Sequence, residues 1–354
     1  ITKNNEKKAG ILFLNTDYTI NDAILFQGNN DYVINEIIES NDGNLLIAAE
    51  GYSVEGQESL YFIELNDNNT IVNEFIFNEN GNELDPFAIL EVENNILVSG
   101  FVKSRELVSS AFINMYTEEQ MIYFGEFTKD GQKKWSKAID LEGYENGICT
   151  QMIKQGNGIV MLCHANKVGE KMSPILVKID LKGNIEKIIE VGNSNAIVVG
   201  SRMLNVDNHV RLVGSYMNDA NYLFTYTFDE NLNVIEHSEY FLPGRPFITY
   251  LDQNTILGNI FINSTYNNFV VNFTNDSYYL NEFGSDKTNM LVSLIDNSYY
   301  GYTITNTKEH ASTFDVFQAS SINIGTSLVK TQSHHFLKVN SIENYEIISE
   351  FVKS

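Results

Sequence analysis

A few polar and charged residues recur at intervals of about fifty residues, and these residues carry most of the chemistry that the sequence offers. Glu36, Gln151, Arg202 and Thr249 occupy the same phase of a repeated strand pattern. A carboxylate, an amide, a guanidinium and a hydroxyl on one surface could hold a small polar or carbohydrate ligand. The alternative is that these groups bond to one another and fill the space between strands. The complete column reads Glu36, Ala88, Gln151, Arg202, Thr249, Val292 and Leu337.

Two loops supply a second set of candidate binding residues. Tyr144 precedes Glu145 in the loop that enters one repeat, and Arg245 lies in the loop that enters a later repeat. An aromatic ring beside a carboxylate suits sugar binding. The insertion 103–120 lies nearby and is rich in apolar and aromatic residues. Such an insertion either carries recognition or packs back on its sheet as a lid or an extra strand.

The sequence contains no recognised catalytic or metal-binding motif. His334 and His335 are adjacent, so on a strand they point to opposite faces and make a poor pair of ligands. A polysaccharide hydrolase or lyase needs two carboxylates about 5 to 10 Å apart, and the repeated column supplies only Glu36. The sequence therefore favours a non-catalytic module that binds a protein or a glycan, with such an enzyme as the alternative. It predicts no cofactor and no metal.

The elements that position these residues are strands of a unit that recurs seven times. The clearest copy spans residues 34–77, and the second strand of each copy ends in a small residue. This small-residue column reads Ala49, Gly100, Cys163, Gly214, Gly258, Gly301 and Ser349. We expect small residues there because large side chains would hold stacked sheets apart near the narrow part of a wedge. Runs such as 222–228 are rich in aromatic and β-branched residues and favour strands over helices.

The two chain ends predict how the repeats close. Residues 10–26 have the pattern of third and fourth strands, and residues 335–352 have the pattern of a first and second strand. Joined, they would complete one shared unit and remove free sheet edges. The predicted fold is therefore an all-β, seven-bladed β-propeller closed by strands from both termini, with six or eight blades as alternatives. We expect a flexible tether at residues 1–9, a single domain at residues 10–354, and the insertion 103–120 in the second blade.

The pattern of turn, aliphatic strand and small residue resembles the bacterial β-propeller superfamily with degenerate four-stranded blades, of the quinoprotein-like or delta-60 type. The segment TKDGQKKWSKAI at residues 128–139 belongs to the same resemblance. The resemblance implies a propeller over nearly the whole chain. Quinoprotein blades usually repeat a tryptophan, whereas this chain has one, Trp135. A quinone cofactor is therefore not predicted.

Composition limits the partners and the setting. The formal net charge is −23, which disfavours binding to nucleic acid or to anionic membranes. No run of eighteen apolar residues is present, so we expect no transmembrane segment. The polar opening at residues 1–8 and the asparagine-rich turns favour an extracytoplasmic bacterial protein, either secreted or held on the cell surface, for example by a lipid anchor. Cytoplasmic residence is the alternative, and a monomer is expected.

The two cysteines lie on consecutive strands of the third repeat. Cys149 and Cys163 face each other if the intervening turn leaves an odd residue, and they point to opposite faces if the turn is regular. We expect a buried pair of inert thiols, with a disulfide as the alternative.

Overall fold

Every regular element that this computed structural model describes is a β-strand. The described residues are 2–3, 6–7, 10–15, 20–25, 32–52, 58–109, 114–193, 196–218, 220–262, 265–273, 277–281, 288–295, 298–306, 312–319, 326–327, 329–331 and 337–351. No helix in this part of the chain is long and apolar enough to cross a membrane.

Five antiparallel sheets, each made of four consecutive strands, form the blades of a propeller. Blade 1 consists of β5 (Val33–Glu39), β6 (Leu45–Tyr52), β7 (Glu58–Leu65) and β8 (Ile71–Phe77). Blade 2 consists of β9 (Glu83–Val92), β10 (Asn95–Ser109), β11 (Asn114–Thr128) and β12 (Lys133–Leu141). Blade 3 consists of β13 (Tyr144–Gln155), β14 (Gly158–Lys167), β15 (Met172–Asp180) and β16 (Ile185–Gly192). Blade 4 consists of β17 (Ile197–Val206), β18 (His209–Met217), β19 (Asn221–Phe228) and β20 (Val234–Leu242). Blade 5 consists of β21 (Arg245–Leu251), β22 (Thr255–Ile262), β23 (Thr265–Asn272) and β24 (Ser277–Asn281).

Seven further strands form three smaller sheets among the described residues. Two short N-terminal ladders are β1 (Thr2–Lys3) with β2 (Glu6–Lys7), and β3 (Gly10–Leu14) with β4 (Ile20–Leu25). A three-stranded sheet consists of β25 (Thr288–Ile295), β26 (Ser298–Asn306) and β27 (Ser312–Ala319). β25 contacts three strands of blade 5, and apolar residues of β3 and β4 pack on blade 1.

The prediction of seven blades is wrong, because the propeller has five. The prediction required strands from the two chain ends to pair in one sheet, but β3 and β4 pair with each other. The C-terminal strands lie elsewhere. They are β28 (Thr326–Ser327), β29 (Val329–Thr331), β30 (Lys338–Ser341) and β31 (Tyr345–Ile348). Counting strands along the sequence cannot show whether four successive strands form one blade or are added singly to four complete blades, as the C-terminal strands are.

The C-terminal strands form a belt around the outside of the propeller. β28 pairs with β24 of blade 5, and β29 pairs with β20 of blade 4. β30 pairs with β16 of blade 3, and β31 pairs with β12 of blade 2. Each belt strand becomes the antiparallel fifth strand of its blade, so the belt visits the blades in reverse order. It covers the outer edges of four sheets, which would otherwise carry unpaired backbone groups.

A β-bulge recurs in the first strand of every blade. Each bulge leaves one first-strand residue without a register partner, and the next residue continues the ladder. The bulge residues are Asn35, Phe87, Thr150, Ser201 and Thr249. β25 shows the same shift at Val292. Because the bulges lie at one phase of the repeat, they define which residues of the blades are equivalent.

The bulge also gives the physical reason for the small-residue column. Gly214 pairs with Gly200 just before the bulge, and a Cβ on Gly214 would overlap the Val199 carbonyl oxygen. A Cβ on Gly100 would likewise overlap the carbonyl oxygen of Asp85. The bulge brings a first-strand carbonyl over the second strand, so a side chain has no room at these glycines. The column is thus explained by contact within each blade rather than by the approach of neighbouring blades.

One type of turn joins the third and fourth strands of four blades. The first turn residue is Asn66, Thr128, Asp180 or Asp229, and its side-chain oxygen accepts the N–H of the fifth turn residue. In the Asp180 turn, Oδ1 lies 2.8 Å from the Asn184 nitrogen. The fourth residue has a left-handed backbone in each case. These residues are Asn69, Gly131, Gly183 and Leu232.

Candidate functional site

The predicted column residue Gln151 joins two blades through its side-chain amide. Its Oε1 accepts the Met203 N–H at 2.6 Å, and its Nε2 donates to the Met203 carbonyl at 3.1 Å. Met203 lies in blade 4, directly after Arg202. Both hydrogen-bonding groups of the Gln151 amide are therefore engaged by the neighbouring backbone. This arrangement matches the alternative in which column residues fill the space between strands.

Glu36 makes the corresponding hydrogen bond between blade 1 and blade 2. Its Oε2 accepts the Ile89 N–H of blade 2 at 2.6 Å. Burial raises the pKa of Glu36 to about 7, although the Ile89 hydrogen bond and the positive charge of Arg202 lower it. Arg202 is exposed, and its positive charge acts on the Glu36 carboxylate. Among the described residues of the predicted column, Arg202 is the one with an exposed charge.

The bulge shifts two members of the predicted column by one residue. In the observed register, Tyr250 rather than Thr249 is equivalent to Glu36. Thr249 is the bulge residue itself, and its hydroxyl donates to the Leu257 carbonyl at 3.4 Å within blade 5. Val292 is also a bulge residue, in β25. Leu337 is buried beside the belt, where its carbonyl accepts the Tyr226 hydroxyl, so it does not belong to a first strand.

Arg245 is the first residue of β21. Its guanidinium carbon is 5.5 Å from the centre of the Phe247 ring, and both side chains are exposed. The adjoining pocket measures only about 50 Å³. That volume is too small for a sugar ring. The structure thus separates Arg245 from the other predicted binding residues.

A well-formed cleft lies between blades 2 and 3. Its volume is about 410 Å³, within the usual range for small-molecule sites. Its apolar base is formed by Met121 and Ile122 in the middle of β11, by the end of β12 and by Ala165. Its polar lining comes from Gln120, Asp140, Glu145 and Asn146, with Tyr144 beside them. Tyr144 and Glu145 are the two residues that the sequence singled out as suited to sugar binding, and they are the first residues of β13 rather than part of a loop.

Tyr144 is held in place by charged neighbours. Its hydroxyl lies 3.1 Å from Glu190 Oε2, and Lys167 Nζ lies 2.7 Å from the same oxygen. The Lys167 ammonium is also 5.3 Å from the centre of the Tyr144 ring. Burial and the Glu190 charge raise the pKa of Tyr144 to about 12. The phenol therefore stays protonated, and its ring forms a fixed wall at one side of the cleft.

An irregular start of β13 exposes the polar groups of the cleft. Asn146 and Gly147 lie in a register shift between Glu145 and Ile148, and Asn146 has a left-handed φ of 56°. The Gln120 amide donates to the Gly147 carbonyl at 3.4 Å. A Cβ on Gly147 would approach Ile122 Cγ1 at 2.9 Å. Close packing of Gly147 on blade 2 thus fixes the backbone that carries Glu145 and Asn146.

The predicted insertion reaches the same end of the propeller. β10 and β11 continue as a paired hairpin to Ser109 and Asn114. The segment predicted as an insertion, residues 103–120, thus lies largely within the lengthened strands β10 and β11. Residues 110–113 lie outside the described part of the chain. Gln120 marks the point where the hairpin meets the cleft.

Sequence reasoning missed several polar groups. Asp140 and Asn146 line the cleft, but both lie in strands, and Asn146 is one of many asparagines in the sequence. Asp85, two residues before the bulge of blade 2, also escaped notice. Burial and the charges of Glu50 and Glu58 raise the pKa of Asp85 to about 7. Asp85 lies in β9, the first strand of blade 2, and Glu36 lies in β5, the first strand of blade 1. The sequence alignment compared only equivalent positions of the repeats, and Asp85 is not equivalent to Glu36.

The cysteines and histidines of the described residues serve packing. Cys149 and Cys163 are free, fully buried and directly opposite in the register. The turn between their strands is a regular two-residue turn, and the bulge at Thr150 brings the thiols to the same face. His164 is buried, its Nε2 lies 2.9 Å from the Gly200 oxygen, and burial lowers its pKa to about 4. Within the same residues, no three His, Cys, Asp or Glu side chains form a possible metal site.

Comparison with known proteins gives similarity of structure only. The sequence matches no known protein family, and no curated protein is similar to it in sequence. A crystal structure of a protein of unknown function from Dyadobacter fermentans aligns with a TM-score of 0.46 and 13% identity, over 92% of this chain and 99% of that one. A mutant apocarotenoid oxygenase from Synechocystis aligns with a TM-score of 0.46 and 12% identity, over 86% and 74% of the two chains. A neuraminidase-like protein of a flat-faced bat isolate from Peru aligns with a TM-score of 0.43 and 8% identity, over 82% and 92%. These values do not bear on the activity of this chain.

Proposed function

We propose that this propeller is a non-catalytic binding module that holds part of a glycan in the cleft between blades 2 and 3. The observation that carries the proposal is the composition of the 410 Å³ cleft, where an immobilised tyrosine ring adjoins carboxylate and amide groups. Sugars present apolar faces that stack on aromatic rings and hydroxyls that bond to carboxylates and amides. The cleft offers both kinds of contact on a rigid scaffold.

Direct binding measurements test the proposal. A glycan array identifies ligands, and calorimetry with the best of them measures affinity for variants of the cleft. Glu145→Gln removes a charge, and Asn146→Gly removes an amide at a left-handed position that glycine readily adopts. Each variant should weaken binding by about tenfold, the loss of roughly one hydrogen bond to a charged or polar group. Glu142→Gln is the matched control, because Glu142 is exposed in the adjacent turn and does not line the cleft.

A second variant separates the cleft from the site near the axis. Arg202→Ala removes the exposed cation near Glu36 and leaves the cleft intact. Unchanged glycan affinity in this variant supports the cleft, whereas loss of binding would move the site to the axis. Failure of every glycan to bind would redirect the search to protein ligands.

The enzyme alternative is supported by one observation. Glu36 and Asp85 lie on neighbouring first strands, and both have a pKa raised to about 7. An acid with such a pKa can donate or accept a proton near neutrality. Polysaccharide cleavage that disappears in both Glu36→Gln and Asp85→Asn would favour a hydrolase or lyase. The binding proposal predicts no such cleavage.

The setting of the protein forms part of the same proposal. A glycan-binding role agrees with an extracytoplasmic location, which the polar N-terminal residues and asparagine-rich turns favour. Cell fractionation with an antibody against the propeller tests this. Recovery of the protein in the cytoplasmic fraction alone would contradict it.

A further inference from the structure

The outer edge of blade 1 differs from the outer edges of the other four blades. β31, β30, β29 and β28 cover the fourth strands of blades 2 to 5. Among the described residues, β8 pairs only with β7. Its seven residues therefore present the one blade edge in this part of the chain that no fifth strand covers. An edge of this length is a template for strand addition.

The side chains of β8 differ from those that usually prevent edge strands from pairing with other chains. Ile71, Val72 and Ile76 are 42%, 45% and 47% exposed. Natural edge strands commonly carry lysine, proline or a bulge that discourages pairing. β8 contains no lysine and no proline. Its exposed aliphatic groups are those that a further strand would bury.

Phe351, the last described residue after β31, lies beside the loop that follows β8. In blade 2, the Asn344 carbonyl accepts the Glu142 N–H of the loop after β12, and pairing of β31 begins at the next residue. In blade 1, the Phe351 carbonyl accepts the Asn80 side-chain amide of the loop after β8, at 2.7 Å. The Phe351 ring packs in the core between blades 1 and 2. Phe351 thus lies at the position in blade 1 that corresponds to the entry of β31 into blade 2.

We propose that β8 accepts an antiparallel strand from a partner protein, as the fifth strand of blade 1. The alternation of β8 defines the chemistry of that strand. Residues opposite Val72 and Ile76 should be aliphatic, and the residue opposite Glu74 should be basic, because Glu74 is exposed on the same face. The partner segment is therefore extended, apolar at alternate positions and positively charged between them. The overall charge of −23 favours the approach of such a segment.

A synthetic peptide serves as the probe. Acetyl-Lys-Val-Thr-Lys-Thr-Val-Lys-amide matches the length of β8 and places valines opposite Ile76 and Val72 and a lysine opposite Glu74. Hydrogen exchange followed by mass spectrometry should show saturable slowing of exchange in β8, with unchanged exchange in β12, whose edge is covered by β31. Absence of protection in β8 at millimolar peptide would overturn the proposal.

Variants distinguish strand addition from general attraction of a basic peptide. Val72→Lys with Ile76→Lys should weaken binding about tenfold, because lysines on an edge oppose strand addition. Val168→Lys is the matched control, since Val168 is 65% exposed in the turn after β14 and does not lie in a strand. Equal losses in the two variants would contradict the proposal. Thermal unfolding of each variant verifies that the propeller is intact.

A charge exchange tests the register. Replacing the central lysine of the peptide by glutamate should weaken binding about two- to fivefold, and Glu74→Lys should reverse this preference. A preference that does not reverse would place the peptide elsewhere. Protection of β8 that rises with protein concentration in the absence of peptide would assign the edge to a second copy of the chain and overturn the choice of a partner protein.

Discussion

Gln151 of blade 3 and Met203 of blade 4 are joined by two hydrogen bonds between one side-chain amide and one backbone residue. Glu36 makes a single bond of the same kind to Ile89 in blade 2. These contacts attach first strands to one another around the axis. Column residues that the sequence presented as ligand-binding groups therefore hold neighbouring blades together.

Gln151→Ala should lower the free energy of unfolding by about 1 to 3 kcal/mol, because it leaves the backbone groups of the buried Met203 without these partners. Chemical denaturation measures the change. Thr249→Val is the control, since the Thr249 hydroxyl makes one longer bond within its own blade. A smaller loss in Gln151→Ala than in Thr249→Val would contradict the assigned role.

Glu36→Gln should remove a pH dependence of stability. The folded-state pKa of Glu36 is raised from 4.5 to about 7, so the folded protein holds this proton more tightly than the unfolded chain. The wild-type protein therefore loses stability as the pH rises from 4.5 to about 7. An amide at this position can accept the Ile89 N–H without a charge, as Gln151 does for Met203.

The variant should match the wild type at acidic pH and exceed its stability above neutrality by about 3 kcal/mol. Denaturant titrations across the pH range measure this difference. Arg202→Ala should raise the Glu36 pKa further, because the Arg202 charge lowers it. A difference between Glu36→Gln and wild type that does not change with pH would refute the assignment.

His164 should give the opposite slope. Burial lowers its pKa from 6.5 to about 4, so the neutral ring is favoured in the folded state. Its contribution is present above 6.5 and is lost as the pH falls towards 4. His164→Gln should flatten this acid limb of the stability curve, whatever its effect near neutral pH. An acid limb of unchanged slope in the variant would show that other groups cause it.

Gly214→Ala should destabilise the protein by several times more than an exposed glycine substitution. Its Cβ would overlap the Val199 carbonyl and the Phe224 ring, so the first strand or the core must move, at a cost of about 2 to 4 kcal/mol. Gly169→Ala is the control. Gly169 has a left-handed φ of 80° but no atom within 4 Å of a new Cβ, so about 1 kcal/mol of backbone strain is expected. Thermal unfolding compares the two, and equal losses would exclude the proposed overlap.

Local sequence pattern was sufficient to predict the all-β class, the strands of the blades and the small residues in the second strands of the five blades, whereas Ser349 of the predicted column follows the belt strand β31. These features follow from local alternation of apolar residues and from turn residues such as Asp180 and Asp229, whose side chains bond to their own turns. The sequence also indicated Tyr144 and Glu145 as candidate sugar-binding residues, because an aromatic residue is adjacent to a carboxylate at the start of a repeat.

The number of blades, the pairing of the belt strands and the composition of the cleft depend on tertiary packing and could not be predicted from the sequence. Residues 338–341 and 345–348 have the pattern of ordinary strands, and strand pattern does not specify which edge a strand will pair with. The bulge at Thr249 moved the equivalent position to Tyr250, since one extra residue reverses the faces of a strand. Asp140 and Asn146 meet only because blade 2 packs on blade 3. Contacts between residues distant in sequence depend on the packing of whole sheets, and local periodicity does not determine that packing.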